Sequence, residues 1–498
     1  MASVRITCWF RLAGVILLLS SCASLTVTDT NPLTPGQLAP PGAESLSQGG
    51  YRVPGLPPHA EAPDLLVLVA MSGGGKRSSS FGYGALKGMR DTMVPTSSGP
   101  VSLLSQLSAI SGVSGGSFPA AYYGLYRDAS FGKFEKDFLY DDTNAYIFGV
   151  YLLPWNWTWM VDPSVGTNDF MARVYDHTMF HGATYNDLLA KGRPLVAIGA
   201  TDVSYGTPFL FTQEKFDLIC ADLGSFPVAR AVAASNGFPG LFSPVTLTSR
   251  TVDCGGRKPG WMGYVTQAER NDPLSRLGRQ AISADRYLDP EQTNYLHLVD
   301  GGVSDNLALR AASGLILEAS AVPGANFFAN VRRILVISVD GEGAQDTSAA
   351  RRKAVGGIFS LLGLVTGNQI DNYNFETLQL LTEQLQKLQD EIGKARCARG
   401  QVLNGARCDD VQAKFLHISL SGMPPGPDKE KLLAIPTGLT IARDDVDRLI
   451  KAGHDAVTGS VELRTFLAGY PPNSTPRLAG KTRQAARPKP GAEASVAE

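Results

Sequence analysis

Short apolar runs, each closed by small or polar residues, recur along this chain and predict its strands. Residues 64–71 form a continuous apolar run suited to a buried strand of a parallel sheet. A second buried run covers residues 104–113, and a strand pair in the same sheet is read at 194–202 and 208–212. Residues 295–299 alternate, residues 334–340 read as another buried strand, and residues 415–420 read as a strand with His417 in its interior. Helical spacing takes over at 81–93 and at 228–236, the latter ending before Pro239. A further helix runs to 320 from Ser304, Asp305 and Asn306, whose side chains suit capping. Residues 375–392 place apolar positions at helical spacing among polar ones. This amphipathic helix is expected to pack on the body rather than on a partner or membrane. No internal repeat is evident.

The ends of the chain break this pattern. Residues 1–21 hold Arg5 and Arg11 ahead of an apolar core at 12–19, too short to span a bilayer and the right size for a secretory signal. The signal closes on Leu19-Ser20-Ser21-Cys22, which resembles the lipobox of bacterial lipoproteins. That resemblance implies acylation of Cys22 as the mature N-terminus, a membrane surface as partner, and a place in the cell envelope. With Ala23 next, the outer membrane is implied for a Gram-negative host. Residues 22–63 are rich in Pro, Gly, Ser and Thr and read as a flexible, lipid-anchored tether. Residues 64–470 are the globular body, and 471–498 a disordered tail.

Composition narrows the function. The chain has 498 residues, enough to bury a large core, and its net charge of -1 gives no field to attract nucleic acid. Export permits disulfides among Cys220, Cys254, Cys397 and Cys408. Cys397 with Cys408 closes a short polar loop and Cys220 with Cys254 is the complementary pair; free buried thiols are the alternative. Their spacing suggests no zinc site. Nothing in the sequence fixes an oligomeric state.

Two glycine-rich stretches carry the candidate chemistry. Gly112-Val113-Ser114-Gly115-Gly116 fits G-x-S-x-G, the elbow that lifts a nucleophilic serine between a strand and a helix. Ser72-Gly73-Gly74-Gly75-Lys76-Arg77 joins the strand at 64–71 to the helix at 81–93, offering backbone N–H groups to an anion. Neither the Walker spacing nor the dinucleotide pattern is met, because Lys76 lacks the required hydroxyl neighbour and Ser78 stands where the last glycine belongs. An oxyanion site fits better. Asp300-Gly301-Gly302 then closes the strand at 295–299.

These three motifs, in this order, resemble the patatin-like phospholipases, over residues 64 to about 340. The resemblance implies a three-layer α/β/α domain with a mainly parallel central sheet. It also implies an oxyanion hole at Gly73, Gly74, Gly75 and Arg77, with Arg77 as an orienting charge or a structural pair. Ser114 is implied as nucleophile and Asp300 as its partner in a dyad. Ser78 departs from the family's glycine. A serine hydroxyl needs a base to become a competent nucleophile. A Ser–His–Asp triad is the rival, but its histidine would have to be His417, in a strand interior, or His454, in a helix; His297 reads as a strand residue. The implied activity is lipid acyl-ester hydrolysis through an acyl-enzyme, with no metal or other cofactor required. Acyl transfer or thioester hydrolysis on the same site, and lipid binding without turnover, are the alternatives. Residues 146–161, with three tryptophans, read as an acyl-binding wall or interfacial patch, or as core.

Overall fold

In the computed structural model, which describes residues 27–52, 59–145, 166–310, 313–314, 317, 328, 330–344, 348–351, 353, 358–400 and 406–470, the apolar runs become strands of one sheet. In chain order these are Val27–Thr28 (β1), Leu65–Met71 (β2), Leu107–Val113 (β3), Leu195–Asp202 (β4) and Thr207–Phe211 (β5). Val245–Thr248 (β6), Tyr295–Asp300 (β7), Arg333–Asp340 (β8) and Gln412–Ser419 (β9) complete it. Hydrogen bonding orders them β1-β6-β7-β4-β3-β2-β8-β9, with β5 paired to β4. The run from β4 to β9 is parallel throughout, and antiparallel pairing is confined to β5, β6 and β7.

Alternation along β2 explains the layers. Val67, Val69 and Met71 face a core shared with Phe81 and Leu86 of the helix Gly75–Asp91 (α1) and Phe118 of the helix Ser117–Tyr126 (α2). That core also takes in Met171 of Thr167–Tyr175 (α3) and Val232 of Val228–Ser235 (α4). Leu66 and Ala70 point the other way, where Val336 meets Leu381 and Leu385 of the long helix Ile358–Ala398 (α5). Arg443–Thr458 (α6) adds Val446 and Leu449 to the first core. The result is the expected three-layer arrangement with a mainly parallel sheet. Two elements exceed their expected bounds: α1 starts inside the glycine loop at Gly75, and α5 extends well beyond 375–392 at both ends.

Strand β4 is what brings the motifs together. Each strand has two edges, and β5 takes one of them from Ile198 to Asp202. On the other edge, Leu195 to Gly199 pairs with β3, and Ala200 to Asp202 pairs with β7. Strands β3 and β7 therefore meet end to end: Val113 lies opposite Gly199 and Asp300 opposite Ala200. The residue after Val113 is Ser114.

The stretch expected to be a flexible tether departs from that expectation over residues 27–52, which dock on the body. β1 pairs with β6, and Leu33, Leu46 and Tyr51 are buried. Arg52 meets Asp217 at 3.2 Å, and the Ser47 hydroxyl donates to the same carboxylate at 2.5 Å. Pro- and Gly-rich composition hid these anchors because they are single residues without periodicity. Both expected disulfides, Cys220–Cys254 and Cys397–Cys408, are formed. The signal segment, Cys22, the tryptophan-rich stretch 146–161 and the tail 471–498 lie outside the described residues.

Asp217→Ala would remove the carboxylate that pairs with the buried Arg52 guanidinium, and breaking a buried pair in this way typically costs about 3–5 kcal/mol. We expect a lowered urea midpoint, and limited proteolysis cutting within 27–63 before the sheet unfolds. Wild-type resistance in the variant would contradict this role for the pair.

Candidate active site

Ser114 follows the last residue of β3 with φ 49°, a left-handed conformation that non-glycine residues adopt rarely. Its neighbours hold it there. The Ser114 N–H donates to the Ser235 hydroxyl at 2.8 Å, and that hydroxyl donates to the Gly199 carbonyl at 2.6 Å. The Ser117 hydroxyl donates to the Ser114 carbonyl at 2.6 Å. Gly115 is required by close approach, since a Cβ there would lie 2.1 Å from the Gly75 carbonyl oxygen. The serine motif and the glycine loop thus touch backbone to backbone.

Asp300 ends β7, where its N–H donates to the Gly237 carbonyl at 3.0 Å. One carboxylate oxygen accepts from the Ser114 hydroxyl at 2.8 Å, and the other accepts from the Gly302 N–H at 2.8 Å. Burial pushes the Asp300 carboxyl up from its ordinary 3.8 to about 6, while these two donors pull it down. Asn236 lies beside the pair with its side-chain oxygen 3.5 Å from the Ser114 hydroxyl. Its amide nitrogen donates to the Ser117 hydroxyl at 3.1 Å and the Val232 carbonyl at 2.8 Å, which directs the oxygen at the serine.

The glycine loop divides its labour differently from the expectation. Gly73 is not a free donor: its N–H donates to the Asn306 carbonyl at 2.9 Å. Gly74 and Gly75 donate to no protein acceptor among the described residues, and neither does Gly115. Gly74 has φ 133° and Gly75 φ 59°, so the turn that exposes these groups needs glycine. Helix α1 begins here without a side-chain cap, so its positive end is directed into the loop beside Ser114. Arg77 takes the structural role of the two left open. Its guanidinium donates to the Gly341 carbonyl at 2.7 Å and the Ile435 carbonyl at 2.8 Å, and burial lowers its pKa against the opposing pull of Asp340 and Glu342.

Ser78, the departure from the family pattern, is accommodated and used. Its hydroxyl donates to the Ser72 carbonyl at 2.5 Å, fastening the first turn of α1 to the loop. The crowding falls on Gly341, where a Cβ would come within 2.9 Å of the Ser78 Cβ. The Gly341 N–H in turn donates to the Ser72 hydroxyl at 3.0 Å. Burial and the nearby Glu342 push Asp340 up to about 7.

Among the described residues no histidine hydrogen-bonds to Ser114 or Asp300. His297 contacts Thr246 at 3.0 Å, His454 contacts Asp91 at 3.1 Å, and the half-buried His417 lies in β9 with its Nδ1 unpartnered. Ser235, Asn236 and Asn306 escaped the sequence reading. The first two form a polar pair at the end of an alanine- and valine-rich helix, a signal that was available. In the sequence Asn306 reads only as a capping residue.

A strained serine on a strand–helix elbow, an aspartate at hydrogen-bond distance and free N–H groups on a glycine loop form an arrangement that can activate a hydroxyl and hold a developing oxyanion. Residues 69–313 match the model of the patatin-like phospholipase family, and this part of the chain is a patatin-like phospholipase domain. No curated protein matches the chain significantly. Among solved structures it is similar to human GIVD cytosolic phospholipase A2, with 14% identity, a TM-score of 0.40, and coverage of 81% of this chain and 60% of that one. The same human protein in complex with methyl gamma-linolenyl fluorophosphonate gives 13% identity and a TM-score of 0.36, with 81% and 60% covered. The chain thus spans less than two thirds of the length of these solved relatives.

Proposed function

We propose that the protein is a lipid acyl-ester hydrolase of the phospholipase A type, working through a Ser114–Asp300 dyad. The observation that carries this reading is the 2.8 Å hydrogen bond from the Ser114 hydroxyl to a buried carboxylate. Asp300 takes the hydroxyl proton as Ser114 Oγ attacks the ester carbonyl carbon. The carbonyl π electrons move onto oxygen, where the N–H groups of Gly74, Gly75 and Gly115 hold the negative charge. Collapse breaks the ester C–O bond, and Asp300 returns its proton to the departing alcohol. Water then attacks the acyl-enzyme, Asp300 accepts the water proton and passes it to Ser114 Oγ, and the fatty acid leaves.

We place this activity in an exported lipoprotein whose Cys22 carries the acyl anchor, held at the cell envelope, at the outer membrane in a Gram-negative host. The basic residues and short apolar core before Cys22 support that placement. The test is mass spectrometry of phospholipid vesicles incubated with the full chain. Release of free fatty acid and lysophospholipid, absent with Ser114→Ala, is expected. Bound lipid without any product would overturn the hydrolase reading in favour of a lipid-binding protein.

A further inference from the structure

The N-terminal arm decides which side of the body the anchor can reach. If residues 22–63 were loose, the body would drift tens of ångströms from the bilayer. Instead the arm is fastened from Val27 onward. The Thr30 hydroxyl donates to the Thr248 carbonyl at 2.9 Å, Arg230 donates to the Thr28 hydroxyl at 2.6 Å, and Arg250 donates to the Thr30 carbonyl at 3.2 Å. Only residues 23–26 separate Cys22 from Val27, and so short a segment reaches at most roughly 18 Å from one to the other.

Register gives the direction. β1 is parallel to β6 with Val27 opposite Thr246, so the chain reaches Val27 from the side of Ser243 and Leu241. Thr246 in turn lies opposite His297, three residues before Asp300 in β7. Val27 is thus two strand spacings across from β7, about 10 Å, and three residues along it from Asp300, again about 10 Å. The loop on that side begins at the site itself, because the Gly237 carbonyl accepts the Asp300 N–H. It continues through Phe238 and Pro239 to Leu241, which is 65% exposed, while Val27 is 41% exposed. The loop is also tied to the start of α3, where the Ser243 N–H donates to the Thr167 hydroxyl at 2.9 Å.

We infer that this face, centred on the Phe238–Leu241 loop and Val27, docks on the same lipid leaflet that holds the Cys22 anchor. The enzyme then draws its substrate from its own membrane rather than from a facing one. Leu241 enters the boundary between head groups and acyl chains, and the short arm keeps the Ser114–Asp300 site over that leaflet. This inference rests on the lipoprotein reading given above.

The experiment uses the full mature lipidated chain in phosphatidylethanolamine–phosphatidylglycerol vesicles, with an environment-sensitive fluorophore on Leu241→Cys or on Met93→Cys. Met93 is exposed and lies at the far end of the sheet, where Thr92 meets Leu103 just before β3 begins. With Cys220, Cys254, Cys397 and Cys408 in disulfides and Cys22 acylated, the introduced thiol is the one available for labelling in the described body. The label at 241 is expected to shift to the blue and to be quenched severalfold by lipid-borne quenchers, and the label at 93 to behave as in water. A vesicle-bound, acylated chain with the label at 241 still in water overturns the docking. A mature N-terminus without acyl mass overturns the anchor and the docking together. Hydrolysis of a water-soluble short-chain ester by both labelled variants is the separate arm. Its absence would sink the hydrolase reading, while the fluorescence would still decide the docking.

Discussion

Ser114→Ala is expected to abolish ester hydrolysis, lowering kcat by a factor on the order of 10⁶, as loss of an activated serine does in other hydrolases. Alanine keeps the Cβ and removes only the hydroxyl, so the elbow should survive: Ala308 already holds φ 58° in this chain. Asp300 loses one donor but keeps the Gly302 N–H, and in its buried site it will hold its proton more tightly. The variant should therefore fold normally, with a melting temperature near that of the wild type, and bind but not cleave lipid. A fluorophosphonate ester should add to Ser114 in the wild type and give no adduct in the variant, read by intact mass and peptide mapping. An adduct that persists in a folded Ser114→Ala chain would mean that another nucleophile does the chemistry.

Much of this site was legible in the sequence because its parts are local. G-x-S-x-G and the triple glycine are demands of single turns, and the continuous apolar runs before them mark buried strands whatever their neighbours. The meeting of Ser114 with Asp300 is another matter. It follows from two strands sharing one edge of β4, a long-range pairing that no local pattern encodes. The same limit explains Gly73 and Arg77. A glycine loop announces free N–H groups, yet which of them is consumed depends on Asn306, more than two hundred residues away. Arg77 looked available to an oxyanion until Gly341 and Ile435 claimed its donors. The arm at 27–52 was hidden for a further reason. Its hold on the body is a short strand, isolated apolar side chains and an ion pair, which composition averages away.

Asp300→Asn should separate what the carboxylate does for catalysis from what it does to stability. As general base Asp300 must be ionised, so kcat/KM in the wild type is expected to rise tenfold per pH unit up to about 6 and then level off. The asparagine variant loses that limb, and its plateau falls by about 10²–10⁴-fold. Stability runs the other way. The folded-state pKa lies above the ordinary 3.8, so between about pH 4 and 6 the native state holds a proton that the unfolded chain releases. Stability from this group is therefore lost as pH rises through that window and stays lost above it, by about 3 kcal/mol for a shift of this size. Asp340, pushed up to about 7, acts with the same sign over about pH 4 to 7, but it is present in both proteins and drops out of their difference. Asp300→Asn should thus melt higher than the wild type near neutral pH, with the gain shrinking to nothing below about pH 4. Melting curves and initial rates on one buffer series test both halves. A variant that loses activity and also melts lower at neutral pH would show that Asp300 is held for its packing and hydrogen bonds. Higher melting with lost activity would identify a carboxylate kept buried, at a cost to the fold, because the serine beside it needs a base.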